Sequence, residues 1–268
     1  MKTTMSLQSN LCSLDMETYE KDPVWAMMCH EAKQMTIRTP ILASAVYAII
    51  LNHKSLEASL AFCLSNKIAS STVTATQWFE IICQEYESQD LAQAIRADLV
   101  AIKNRDPSCL GYAYALLYLK GFHGLACYRV ANKLFMNDRK ELAFAMQSRI
   151  SEIFGMDIHP AAKIGQGIMF DHATGIVIGE TAVVGDNCSI YHNVTLGGTG
   201  NKNGDRHPKL GKNVIIGACS SILGNIKIED GVKVGPGSVV LTAIPPGVTA
   251  FGVPAKIVGD DQYFGPKL

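Results

Sequence analysis

The 268 residues, 48% hydrophobic and 18% charged, suffice for one large domain or two ordinary ones and exclude an intrinsically disordered chain. The 24 basic and 24 acidic side chains cancel, so the positive excess that a binder of nucleic acid or anionic membrane needs is missing, and neither partner is expected. The longest apolar run, Ile41 to Leu51, has 11 residues against the roughly 20 of a membrane span.

Met1 to Asn10 carries one Lys and no apolar block, so it has neither the core of a secretory signal nor the Arg-rich face of a transit peptide, and a cytoplasmic address is the default expectation. Eight cysteines are scattered without a CxxC pair, which suits reduced, packed thiols better than disulfides or zinc ligation. No metal is expected. Glycine divides the chain: residues 1 to 150 hold three, Gly111, Gly121 and Gly124, and the remaining twenty lie beyond.

In the first half, Asp22-Pro23 and Thr39-Pro40 place capping side chains before prolines suited to a first helical turn, and Thr74-x-x-Gln77 has the form of a capping box. Leu91, Ile95, Leu99 and Ile102 recur at helical spacing and stop before Asp106-Pro107, because a residue preceding proline is driven out of the α region. Further helices are expected over about Ala113 to Phe135 and Asp138 to Ile153. Residues 1–153 read as an all-helical domain, with Asp106 delivered at a helix end.

The second half holds 26 Ile and Val against 5 Leu, as β-branched strands would. Aliphatic residues recur every six positions at Ile178, Val184, Ile190 and Leu196, then at Ile216, Ile222, Ile228, Val234 and Val240. Ile158, Ile164 and Phe170 keep the step but stand two residues out of phase, with the slip between Asp171 and Val177. A six-residue unit supplies one short strand and one turn, and three units close one coil of a solenoid whose aliphatic residues stack in a ladder. Residues 154–248 are assigned to that solenoid, interrupted after Leu196 by a polar, Gly-rich loop of the kind that carries function, and 249–268 to a tail.

Chemistry concentrates in Arg105-Asp106-Pro107, DIHPAAKIG from Asp157, DHATGIVIGE from Asp171, VTLGGTG from Val194 and GDRHP from Gly204. Together these segments, with GVPAK ending at Lys256, resemble the serine O-acetyltransferases, from about Leu116 to Lys256 and more loosely through the helical half. The resemblance implies an α+β protein: an N-terminal helical domain followed by a left-handed parallel β-helix, an exception to right-handed crossovers. It implies transfer of acetyl from acetyl-CoA to the hydroxyl of L-serine, giving O-acetyl-L-serine and CoA on the route to cysteine.

Residue types fit that chemistry. A serine hydroxyl needs a base, and imidazole titrates near the working pH, which points to His172. By the family motif Asp157 orients it. Arg206 offers paired donors to the substrate carboxylate, Asp106 and Asp171 match the positions that take its ammonium, and His207 supports the carboxylate or the reacting centre. Gly198, Thr199, Ala218 and Pro236 fall where the family's turn backbone meets acetyl-CoA, with Pro236 lacking the N–H a small residue would offer there. Taken alone, His172 is an ordinary corner side chain, Asp157 a turn residue and Asp106 a helix stop. His159 is expected to bond locally, His192 to face solvent or the cofactor groove, and Trp25 and Trp78 to lie in the core.

The family further implies trimers paired into a hexamer through the helical domains, and L-cysteine as a competitive inhibitor. Association with O-acetylserine sulfhydrylase through the tail is expected to be absent or weak, because the chain ends in Leu268 rather than Ile. The competing readings are a hexapeptide acyltransferase acting on another small hydroxyl, which would not need Asp106, Asp171 and Arg206 together, and a non-catalytic scaffold of the same fold.

Overall fold

The computed structural model describes residues 16–200 and 203–258. The expectations for Met1 to Asn10 and for the tail from 259 to Leu268 lie outside the described residues.

The helical half comprises α1 (Met16–Lys21), α2 (Pro23–Arg38), α3 (Ala43–Val46), α4 (Leu56–Ile68), α5 (Ala75–Tyr86), α6 (Gln89–Arg105), α7 (Tyr112–Tyr118), α8 (Lys120–Met136) and α9 (Lys140–Phe154). Its punctuation is largely as read. Asp22 accepts the Trp25 N–H at 3.1 Å with Pro23 in the first turn, and the Thr74–Gln77 capping box closes in both directions. Thr39 makes no side-chain cap; Pro40–Leu42 is a single 3₁₀ turn that runs through α3 into a wide turn at Tyr47–Leu51. α6 ends at Asp106, which is extended. Trp25 and Trp78 are both buried.

One expected helix is two. The run from Ala113 to Phe135 breaks at Leu119, extended at φ −86° and ψ 101°, and restarts as α8. The reason lies across the domain junction: a Cβ on Gly121 would sit 2.2 Å from the Phe170 carbonyl oxygen, and one on Gly124 would sit 2.5 Å from the Met156 sulfur. The start of α8 presses its backbone onto the solenoid, and a continuous α7–α8 rod could not turn to do so.

The solenoid has three flat parallel sheets. On the first, Ile158, Ile178, Leu196, Ile222 and Val240 stack in register; on the second, Ile164, Val184, Leu210 and Ile228; on the third, Phe170, Ile190, Ile216, Val234 and Ala250. All but Ile164 are buried, so the six-residue step is the core itself. Leu210 completes the coil beneath the Gly-rich loop, which bulges between the first and second sheets without breaking the ladder. Pairing continues past residue 248: Thr249–Gly252 adds to the third sheet, and Ala255–Val258 folds back on it antiparallel.

The helical half covers the solenoid's opening coil by supplying donors to its carbonyls. Tyr128 Oη donates to Ala162 O, Asn132 Nδ2 to Pro160 O, Arg129 Nη2 to Gly165 O and Arg105 Nη1 to Gly167 O. Buried backbone acceptors need such partners, and here another domain provides them.

Candidate active site

Each coil passes from the third sheet into the first of the next coil around a corner, and the two-residue slip in the repeat falls on one of these. After Asp171 the chain makes two consecutive left-handed residues, His172 at φ 54° and Ala173 at φ 60°. The Ala173 N–H bonds to Asp171 O and the Thr174 N–H to His172 O, at 2.6 and 2.8 Å. Left-handed backbone is uncommon outside glycine, and two such residues in a row swing the His172 side chain outward, 76% exposed. Its Nε2 lies 3.9 Å from the Asp171 carboxylate, and its ring stands edge-on to His192 at 5.8 Å between centroids. His192 follows the strand stacked in register on that of His172, so it lies one coil further along the corner, with Nδ1 buried and without a hydrogen-bond partner among the described residues.

His172 faces a cleft of about 300 Å³ between the domains, whose walls include Asp106, Asp171, Tyr114, Tyr118 and Lys120. Asp106 is set by Ser108, whose N–H and hydroxyl both donate to Oδ1 at 2.8 and 2.7 Å, while Oδ2 takes no hydrogen bond from the described residues. Lys120 donates to the Thr174 hydroxyl and ties α8 to the His172 corner. An imidazole and two carboxylates therefore share one cleft.

A second cluster lies at the other edge of the first sheet, where that sheet gives way to the second. Arg206 reaches Glu180 at 2.8 Å and the Gly204 carbonyl at 3.1 Å, and this pairing holds the Glu180 carboxyl below its usual range. His207 is buried against Gly179, where a Cβ would come within 2.0 Å of its Nε2. Burial, reinforced by Arg206 and Lys209, keeps its pKa below the ordinary 6.5. Glu180, Gly198, Gly204, Arg206 and His207 line an open depression of about 550 Å³. His159 adjoins it, accepting the Ala161 N–H at Nδ1 and edged by Phe135 and Phe144; its pKa too is lowered by burial.

The single chain keeps His172 and Asp157 apart. Asp157 sits mid-strand on the first sheet, opposite Val177, with Oδ1 held by the Gln147 amide at 2.7 Å; no hydrogen bond or ion pair among the described residues joins it to His172. Strands three residues long make the first sheet about 10 Å wide, and that width separates the His172 corner from the Arg206 corner. The acetyl-CoA candidates divide likewise. Gly198 and Thr199 leave the first sheet beside Arg206, while Ala218 and Pro236 stack on the corner line of His172 and His192.

Residues 24–127 match the family model "Serine acetyltransferase, N-terminal", and residues 207–242 match "Bacterial transferase hexapeptide (six repeats)". Serine acetyltransferase 4 of Arabidopsis thaliana is 50% identical over 252 residues, 93% of this chain and 71% of that one. The chain belongs to the serine acetyltransferase family. This acetyltransferase shares its fold with soybean serine acetyltransferase complexed with serine, at a TM-score of 0.86 and 52% identity over 88% of this chain and 97% of that one. The Brucella abortus serine acetyltransferase in complex with coenzyme A gives a TM-score of 0.87 at 44% identity, covering 89% and 96%. The architecture is thus the left-handed β-helix behind a helical domain, and acetyl-CoA is the co-substrate of the acetyltransferase.

Several polar residues of the acetyltransferase site escaped sequence reasoning. Ser108 was findable, because Asp-Pro-Ser invites an Asx turn. Thr181, Gln147 and the His172–His192 stack carried no local signal; each matters only through what the fold brings to it.

Proposed function

We propose that the acetyltransferase site is assembled between two subunits, the His172 corner of one meeting the Arg206 corner of its partner. The observation that carries this is the division of the candidate set between the two edges of the first sheet. Exposed apolar side chains at Val177, Phe251 and Ile257 support a trimer packed along the solenoid, and Ile37 and Ile41 support pairing of trimers through the helical domains.

In this reading the ammonium of L-serine lies between Asp106 and Asp171, and its carboxylate meets Arg206 and His207 of the partner subunit. His172 takes the hydroxyl proton as the serine oxygen bonds to the thioester carbon, whose π pair moves onto oxygen. Asp157 of the partner subunit steadies the other imidazole nitrogen, and Gln147 leaves its Oδ2 free for that bond. The pair on oxygen then re-forms the carbonyl, the C–S bond breaks, and the sulfur leaves with the proton held by His172. Acetyl-CoA lies between the Ala218–Pro236 corner and the Gly198–Thr199 turn of the partner subunit. L-cysteine, with the same ammonium and carboxylate, competes with serine.

Subunit complementation tests the arrangement. His172→Ala and Arg206→Ala chains, the first impaired in kcat and the second at low serine, should regain about a quarter of the wild-type sites at low serine when co-expressed, because one interface type in the mixed trimer carries both native residues. Mixed trimers with no activity beyond the separate variants would overturn it.

A further inference from the structure

Thr181 stands where the first sheet ends and the Arg206–His207 loop returns, and its N–H, hydroxyl and carbonyl all bond to that loop. Its N–H donates to His207 Nδ1 at 3.1 Å, and its hydroxyl lies 2.9 Å from the same nitrogen. The hydroxyl oxygen accepts the N–H groups of Arg206 and His207 at 3.0 and 3.1 Å, and the Thr181 carbonyl accepts Lys209 Nζ at 2.8 Å.

A ring nitrogen that receives a backbone N–H carries no hydrogen of its own. Nδ1 is therefore the lone-pair nitrogen, the one Thr181 hydroxyl proton is shared between it and the Asp205 carboxylate, and the neutral ring bears its hydrogen on Nε2. A second ring proton would set Nδ1–H against the Thr181 N–H. With one nitrogen occupied and the other already protonated, His207 has no free pair with which to act as a base, but it has an N–H to give.

We propose that Thr181 is a positioning residue that locks His207 in one tautomer, presenting Nε2–H as a fixed donor to the carboxylate of L-serine beside the Arg206 guanidinium. The proposal rests on the substrate reading given under Proposed function. It divides the work of the two histidines: His172 moves the proton, and His207 holds an anion without exchanging one.

The test uses the full-length enzyme and two readouts. Thr181→Val removes the hydroxyl at nearly constant shape and should raise KM for serine about tenfold, with kcat and KM for acetyl-CoA within about threefold; Thr181→Ser keeps the hydroxyl and should stay within about twofold of wild type. In the ¹⁵N spectrum of histidine-labelled protein, free of substrate, the His207 ring should show a pyridine-like Nδ1 and a pyrrole-like Nε2; in Thr181→Val, which keeps the backbone N–H and loses the hydroxyl, Nδ1 should stay pyridine-like and move downfield as one of its two donors disappears. An unchanged serine KM in Thr181→Val, a Thr181→Ser variant as impaired as Thr181→Val, or a protonated Nδ1 in the wild type would overturn the proposal. Arg206→Ala separates the two levels: if it leaves the serine KM unchanged, the carboxylate assignment fails, while the nitrogen spectrum judges the lock independently.

Discussion

Arg129 on α8 grips Asp98 on α6 with two bonds, Nε to Oδ2 at 2.7 Å and Nη2 to Oδ1 at 2.9 Å, and the same pair reaches onto the solenoid. Asp98 Oδ1 accepts the Ile168 N–H, and Arg129 Nη2 donates to the Gly165 carbonyl. Both side chains are buried, so each charge depends on the other. Asp98→Asn keeps the shape and strands the guanidinium, and it should cost about 3–5 kcal/mol by denaturant unfolding. A loss below about 1 kcal/mol would mean water reaches the pair.

His123 predicts how stability responds to acid. Its Nε2 donates to the Leu116 carbonyl at 2.6 Å inside the helical core, and burial lowers its pKa from 6.5 to about 4. Between those values the unfolded chain binds a proton that the native one refuses, so stability is full above pH 6.5 and falls as the pH drops toward 4, by about 3 kcal/mol over the window. His123→Gln keeps a donor for Leu116 without titrating, and should flatten much of that slope. His159 and His207, also lowered, supply the remainder.

Gly121→Ala tests the close approach beneath the active corner. The added carbon has no room before the Phe170 carbonyl, two residues ahead of His172, so α8 must retreat and take Lys120 with it. Stability should drop by about 1–3 kcal/mol, and kcat should fall further than that loss explains while the variant remains folded. Full kcat in a destabilised variant would separate the packing from the chemistry.

His172→Ala should leave the circular dichroism spectrum and melting of the oligomer intact and lower kcat by about two to four orders of magnitude. Asp157→Asn should do less harm and shift the pH–rate profile, because the orienting charge is lost and the base remains.

The sequence made the solenoid plain because a physical repeat wrote it: each sixth residue must enter the ladder, and nothing distant can change that. The His172 corner was legible for the converse reason, since two extra residues can only be absorbed at a turn. Leu210 was hidden by the loop before it, and the break at Leu119 depends on a carbonyl fifty residues ahead. Thr181 is one threonine among many until the chain returns to it 25 residues later. The separation of Asp157 from His172 within the chain was illegible too, because a motif names residues without saying where the fold will put them.

The two ends of the solenoid are closed by different devices, donors from the helical half at one and the folded-back 255–258 strand at the other. A stack of parallel coils is otherwise an open template, able to accept another coil end to end and grow without limit. With both faces stoppered, the number of coils is fixed and end-to-end growth is blocked. A chain shortened to begin at the first strand would bare that face, and it should form filaments rather than small oligomers.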